Sequence, residues 1–163
     1  MTEFNNVPKR IGTNSSKYDS IKKVYGISPE TGLAMGIADM DFQAPECVIK
    51  ALKKELDRGV FGYYGDQNGY NQALKNWLMT EHNWEIDTHW ISVTHGLVSA
   101  IGIALQAFTE PKDSVIIFTP VYHSFKKIIN ANKREILEYE MDNNNGKYNI
   151  DFHKLQKKLT GKE

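Results

Sequence analysis

Cysteine, net charge and long apolar runs are all scarce in this chain. Cys47 is the single cysteine among 163 residues, which excludes an intramolecular disulfide. Twenty Lys and Arg balance twenty Asp and Glu. A chain without net charge has no footprint for a nucleic-acid backbone or an anionic membrane surface, so neither is expected as a partner. The longest apolar runs, such as Val115 to Phe118, fall far below the roughly 20 residues that cross a bilayer. Residues 1–6 carry neither the basic start nor the apolar centre of a secretory signal, and a cytoplasmic location is the expectation. His82, His89, His95, His123 and His153 fall on different elements without the i, i+4 or C-x-x-C spacings of metal sites, so no metal is expected. The G-x-G-x-x-G fingerprint and the G-x-x-x-x-G-K-[ST] loop are both missing, which removes support for the common nucleotide cofactors.

What is present is an ordinary globular composition, 40% hydrophobic and 11% aromatic. Residues 1–32 are polar and broken by Pro8, Gly12, Gly26, Pro29 and Gly32, which predicts an irregular arm without its own core. Pro45 opens a helix with Val48, Ile49, Leu52 and Leu56 on one face, ended by Gly59. Asn68 is the expected N-cap of a second helix that buries Tyr70, Ala73, Leu74, Trp77 and Leu78. After Asp87 short β-branched runs alternate with amphipathic helices, the pattern of a parallel α/β sheet. Strands are predicted at 91–94, 115–119 and 135–140. The intervening helices carry Val98, Ile101, Leu105 and Phe108, then Phe125, Ile128 and Ile129. Asp151 is the expected N-cap of a last helix with Phe152, Leu155 and Leu159 facing inward.

Three segments have the residue types for chemistry. Thr94-His95-Gly96-Leu97-Val98 joins a strand to a helix, and a glycine there lets backbone N–H groups approach an anion at the positive helix end. The same residues also suit a plain tight turn. Tyr122 follows the carboxyl end of a predicted strand, where ligands bind in open α/β sheets; it is placed either to stack on a planar group or to pack in the core. Tyr63 and Tyr64 sit between glycines in a loop, which suggests a contact surface. Asp39 and Asp41 flank Met40, so on an extended segment they share a face and repel unless a partner is supplied.

Taken in order, Ala38-Asp39-Met40-Asp41-Phe42, Gly59-Val60-Phe61-Gly62-Tyr63, the Trp77 to Trp84 stretch, His95-Gly96-Leu97-Val98 and Pro120-Val121-Tyr122-His123-Ser124-Phe125 resemble one family. It is the cystathionine β-lyase branch, the MalY/PatB kind, of the pyridoxal-phosphate-dependent class I/II aminotransferases. Asn132-Lys133-Arg134 and Gly146 to Phe152 resemble its next landmarks. The resemblance implies an α/β protein, the N-terminal part of a fold-type-I enzyme in which a parallel or mixed sheet has flanking helices. Residues 1–32 would be an arm, 33–86 a small-domain and dimer-interface segment, and 87–163 the incomplete first part of the cofactor-binding large domain.

By the same resemblance, pyridoxal 5'-phosphate is the cofactor, with its phosphate on the backbone of Gly96, Leu97 and Val98 and its ring under Tyr122. Tyr63 would reach the phosphate of the other subunit of a homodimer, and Asp39 would border an amino-acid substrate. The implied reaction removes the β-sulfur substituent of cystathionine or a cysteine conjugate, giving thiol, pyruvate and ammonia; an aminotransferase of the same fold, or a non-catalytic partner-binding protein, is the alternative. Two departures stand out: His95 replaces the proline usual before the glycine, and no lysine here occupies the motif of the Schiff-base lysine, so the 163-residue chain is expected to be an inactive fragment. Missing strands would leave apolar helix faces uncovered.

Overall fold

The computed structural model describes residues 6–159 and 161. The outermost residues of the expected arm (1–5) and of the 87–163 segment (160, 162 and 163) lie outside the described residues. The chain forms two compact units, Met1–Gly65 and Asp66–Glu163.

In the first unit, residues expected to be irregular form two short helices, α1 (Ser16–Asp19) and α2 (Ile21–Tyr25). Their entry is set by Asp19, whose carboxylate accepts from Gly12 N at 2.7 Å and Ser15 N at 2.9 Å, an arrangement of side chain on backbone that periodicity does not announce. Ile21 on α2 is buried. α3 (Glu46–Arg58) follows Pro45, which stands at the N-cap position, and ends where Gly59 takes the left-handed conformation. Its apolar stripe of Val48, Ile49, Leu52 and Leu56 is exposed throughout.

The second unit begins with α4 (Asn68–His82). Gln67, not Asn68, is its N-cap, and Asp66 Oδ1 accepts from Asn68 N at 2.9 Å. The expected buried stripe is a correction: Leu74 and Leu78 are half-buried, but Ala73, Tyr70 and Trp77 face solvent. A helical apolar pattern identifies the sticky face without supplying its partner. Next comes a 3-10 turn, Thr88–Trp90, capped by Asp87, whose carboxylate accepts from His89 N at 2.9 Å.

The predicted strand at 91–94 does not form, because a strand exists only with a hydrogen-bonded neighbour and these residues have none among the described ones. The chain passes instead directly into α5 (Leu97–Phe108). β1 (Ser114–Thr119), α6 (His123–Ala131) and β2 (Glu135–Glu140) then make one βαβ unit. The strands pair in parallel from Ser114↔Glu135 to Thr119↔Glu140. Leu105, Ile117 and Ile129 form the core, with Ile101, Val115, Val121, Ile128 and Ile136 packed around them. Phe108, the last residue of α5 and part of its apolar spacing, is 85% exposed.

α5 and α6 approach closely at Gly102. A Cβ there would stand 3.1 Å from Ile128 Cδ1 and 3.4 Å from Asn132 Nδ2. Gly102→Leu is therefore expected to force the helices apart and destabilise the unit by about 1–3 kcal/mol. Urea unfolding followed at 222 nm checks this; an unchanged midpoint would show that the helix pair is not held at this contact.

Arg134 closes the start of the sheet. Its buried guanidinium donates to the Leu105 carbonyl at 3.0 Å, to Thr109 O and Oγ1, and to Asn132 O at 2.6 Å. The Thr109 and Asn132 carbonyls lie at the end of α5 and in the turn before β2, while the Leu105 carbonyl also accepts from Thr109 N at 3.1 Å and from Thr109 Oγ1 at 2.5 Å. At the far end, β3 (Asp142–Asn144) and β4 (Lys147–Asn149) form an antiparallel hairpin that sequence periodicity does not predict. α7 (Phe152–Gln156) is capped by Asp151 as expected, but only Leu155 is buried; Phe152 is exposed on this five-residue helix, and Leu159, expected to face inward on it, lies beyond its end and is exposed as well. Backbone N–H groups of Lys154 and His153 hold the Asp151 carboxyl below its usual range. Tyr139, fully buried, anchors this turn: its hydroxyl accepts from Asp151 N and donates to Asp151 O, both at 3.0 Å.

Candidate functional site

The N-terminus of α5 is built as an anion cradle. Gly96 takes φ 90 and ψ 148, a region open in practice only to glycine. The turn is pinned by Gly96 N donating to Thr94 O at 2.9 Å and by Thr94 Oγ1 donating to Gly96 O at 3.1 Å. The first helical bond is Ala100 N to Gly96 O at 3.2 Å, so the N–H groups of Leu97, Val98 and Ser99 precede the ladder, and no side chain caps them. No acidic residue occupies the first turn. Three outward N–H groups and the positive end of a three-turn helix suit a phosphate.

Tyr122 belongs to the same end of the unit. Arg134, next to the first residue of β2, bonds the carboxyl end of α5, which places that end at the start of the strands. α5 then runs back across the sheet through Leu105 and Ile101, the latter in the cluster that includes Val121. Its N-terminus thus points toward the carboxyl end of β1, where Tyr122 caps α6. The ring is 56% exposed and stands edge-on to His123 at 4.8 Å and to Phe125 at 5.7 Å, which fixes its plane while leaving a face open. The donor set fits pyridoxal phosphate in two respects: unpartnered amides for the phosphate and an open aromatic face for the ring.

Tyr63 and Asp39 lie in the other compact unit. The Tyr63 ring is fully exposed on its loop. Asp39 is engaged: Arg10 pairs with its carboxylate, and Lys17 Nζ donates to its carbonyl at 2.8 Å. Asp41 accepts from Arg10 Nη1 at 2.7 Å and from Lys17 Nζ at 2.9 Å. The Lys17 ammonium first, then the Arg10 guanidinium, holds the Asp41 carboxyl below its usual range, and Asp39 and Asp41 raise that of Arg10. Sequence reasoning found the need of Asp39 and Asp41 for a partner but missed Arg10 and Lys17. They lie about a helix length or more away along the chain, beyond the reach of any local pattern.

Among the described residues, no three His, Cys, Asp or Glu side chains converge as a metal site requires, and no helix is long and apolar enough to cross a membrane.

A parallel βαβ unit, preceded by a helix that opens on an uncapped glycine turn, marks an α/β protein with a helix end suited to a phosphate. More narrowly, the chain belongs to the aminotransferase class I and II family, whose model matches residues 30–163. It is 38% identical to cystathionine beta-lyase PatB of Bacillus subtilis over 96% of this chain and 40% of that protein. The crystal structure of cystalysin from Treponema denticola, which contains pyridoxal 5'-phosphate, superposes with a TM-score of 0.85 at 39% identity, again over 96% of this chain and 40% of the other. A PLP-bound C-S lyase from Staphylococcus hominis, in complex with L-cycloserine, matches 98% of this chain and 40% of its own with a TM-score of 0.85 at 25% identity. The chain thus spans about 40% of the length of these relatives, and its fold is that of part of a fold-type-I enzyme.

Proposed function

We propose that this chain supplies the phosphate-holding and ring-stacking part of a pyridoxal-phosphate-dependent C–S β-lyase acting on cystathionine or cysteine S-conjugates. The observation that carries the reading is the uncapped α5 N-terminus, held open by Gly96 at the strand end that Tyr122 occupies. When bound, the cofactor supplies an electron sink that lets the substrate's Cα proton and then its β-sulfur depart. The backbone amides of Leu97 and Val98, with Gly96, hold the phosphate and so fix the cofactor's position. Tyr122 lies against the ring and keeps water from that face. Tyr63, exposed on its own chain, is the residue suited to reach a second subunit in a homodimer. The roles assigned to this chain are binding and orientation.

The reading is tested by incubating cystathionine and pyridoxal phosphate with a protein that carries this chain together with the Schiff-base lysine the chain itself lacks. Release of thiol, pyruvate and ammonia in equal amounts is the expected result; amino transfer to an oxoacid without pyruvate would make it an aminotransferase instead. Tyr122→Ala is expected to weaken pyridoxal phosphate binding about tenfold in equilibrium dialysis, the loss of one stacking contact worth about 1.4 kcal/mol. Unchanged affinity would remove Tyr122 from the site.

A further inference from the structure

The segment Ala38-Asp39-Met40-Asp41-Phe42 has no helical structure and no strand neighbour among the described residues. Its course is held by side chains instead. Three successive residues supply acceptors to two cations. Asp39 gives its carboxylate to Arg10 and its carbonyl to Lys17, Met40 gives its carbonyl to Arg10 Nη1 at 3.3 Å, and Asp41 gives one carboxylate oxygen to each cation. The Lys17 side chain is only 8% exposed, so its ammonium is withdrawn from water onto these oxygens. The Tyr18 ring lies 5.4 Å from the Arg10 guanidinium and 6.0 Å from the Lys17 ammonium, backing both. Two cations against two carboxylates leave the cluster neutral.

We propose that Arg10 and Lys17 are positioning residues: by saturating Asp39 and Asp41 they fix the backbone of residues 38–42 and withhold both carboxylates from the substrate. This rests on the lyase reading only in so far as the segment borders the substrate. What the segment then presents is backbone and the exposed Met40 and Phe42 side chains. A neutral segment with a thioether and a ring suits a sulfur-bearing, apolar substrate chain and gives no advantage to a cationic one. Two unpaired carboxylates in the same place would do the reverse. A bare carboxylate pair on one face of an extended segment would also repel itself out of this geometry.

Two readouts on this chain need no activity. In hydrogen–deuterium exchange, amides of residues 38–42 are expected to exchange at least tenfold faster in Arg10→Gln and in Lys17→Gln, with those of β1 unchanged as the internal sign that the second unit is intact. In carbon-detected NMR titration, the Asp41 carboxyl is expected to move up toward its ordinary range in both variants, more in Lys17→Gln. Arg10→Lys, which keeps the charge but cannot span Asp39, Met40 and Asp41, is expected to fall between wild type and Arg10→Gln. Unchanged exchange at 38–42, or an unmoved Asp41 titration, overturns the proposal. Should Arg10→Gln fail to fold, Arg10→Lys decides it by the same two measures. In a protein that releases thiol from cystathionine, Arg10→Gln is expected to raise KM at least fivefold with kcat within twofold; an unchanged KM overturns the substrate-side role. Failure of the unsubstituted protein to release thiol would count against the lyase reading alone, because exchange and titration still judge the clamp.

Discussion

Replacing Arg134 by methionine is expected to cost the second unit about 3 kcal/mol, the largest stability effect of any single surface-to-core contact described above. The guanidinium is buried and faces no carboxylate; it donates to three carbonyls and to the Thr109 hydroxyl, at the point where α5 ends and β2 begins. The Thr109 carbonyl just past the helix end and the Asn132 carbonyl in the turn rely on this guanidinium, whereas the Leu105 carbonyl also accepts from Thr109 N and Oγ1. Hydrogen bonds to a charged donor contribute about 1.5–3 kcal/mol each, and their removal leaves buried acceptors dry. The effects do not add, since water reaches part of the opened site, so the expected total lies near the value of one or two such bonds. Methionine keeps much of the volume, which isolates the lost hydrogen bonds from a cavity effect. Arg134→Lys is expected to recover less than half, because one ammonium cannot satisfy acceptors spread over Leu105, Thr109 and Asn132. Urea unfolding monitored by circular dichroism reads both variants. A loss below about 1 kcal/mol for Arg134→Met would mean that solvent satisfies these carbonyls equally well.

Arg134 also shows where the sequence speaks and where it does not. Runs such as Val115 to Phe118 reveal a parallel strand because the whole run is apolar, as strands of helix-covered parallel sheets are. Leu105 and Ile129 of the core stand at apolar positions that the helical spacing picks out, whereas the register of β1 with β2 is visible only in the folded pairing. Ile91-Ser92-Val93-Thr94 has strand composition too, yet stays irregular, since β propensity expresses fit to a neighbour rather than an intrinsic preference. The converse holds for β3 and β4. Asp142-Asn143-Asn144 and Lys147-Tyr148-Asn149 have poor strand composition, but Asn145 and Gly146 both take positive φ, 51 and 84, and this tight turn closes the hairpin. At the site, the Gly96 turn is legible because its requirement is local. The clamp is not: Arg10 and Asp39 are 29 residues apart, and nothing in either neighbourhood names the other. What the sequence does carry is the electrostatic demand of Asp39 and Asp41, which some cation had to meet.

The same local requirement makes Gly96→Ala the variant with the largest expected effect on ligand binding. At φ 90 and ψ 148 an L-residue is strained by about 1–3 kcal/mol. Crowding is not the cause, since a Cβ built on Gly96 meets nothing within 4 Å. The strain is relieved by rotating φ to negative values, and this rotation swings the peptide between residues 96 and 97, one of the three outward N–H groups of the cradle. A substituted chain therefore either keeps the cradle under strain or relaxes and loses it. Binding of pyridoxal phosphate is expected to fall by about five- to 150-fold, the range into which 1–3 kcal/mol converts. A D-alanine at the same position, introduced by ligation, favours positive φ and is expected to bind as the unsubstituted chain does. Gly59→Ala supplies the contrast: Gly59 is also left-handed, at φ 68, but closes α3, so it is expected to lower stability without changing affinity for the cofactor. Equilibrium dialysis of the three variants separates the effects. Equal affinity for Gly96→Ala and wild type would mean that the turn is a structural junction and that the phosphate lies elsewhere. Loss in both L- and D-alanine variants would instead point to space needed by the ligand itself, beyond the conformation of the turn.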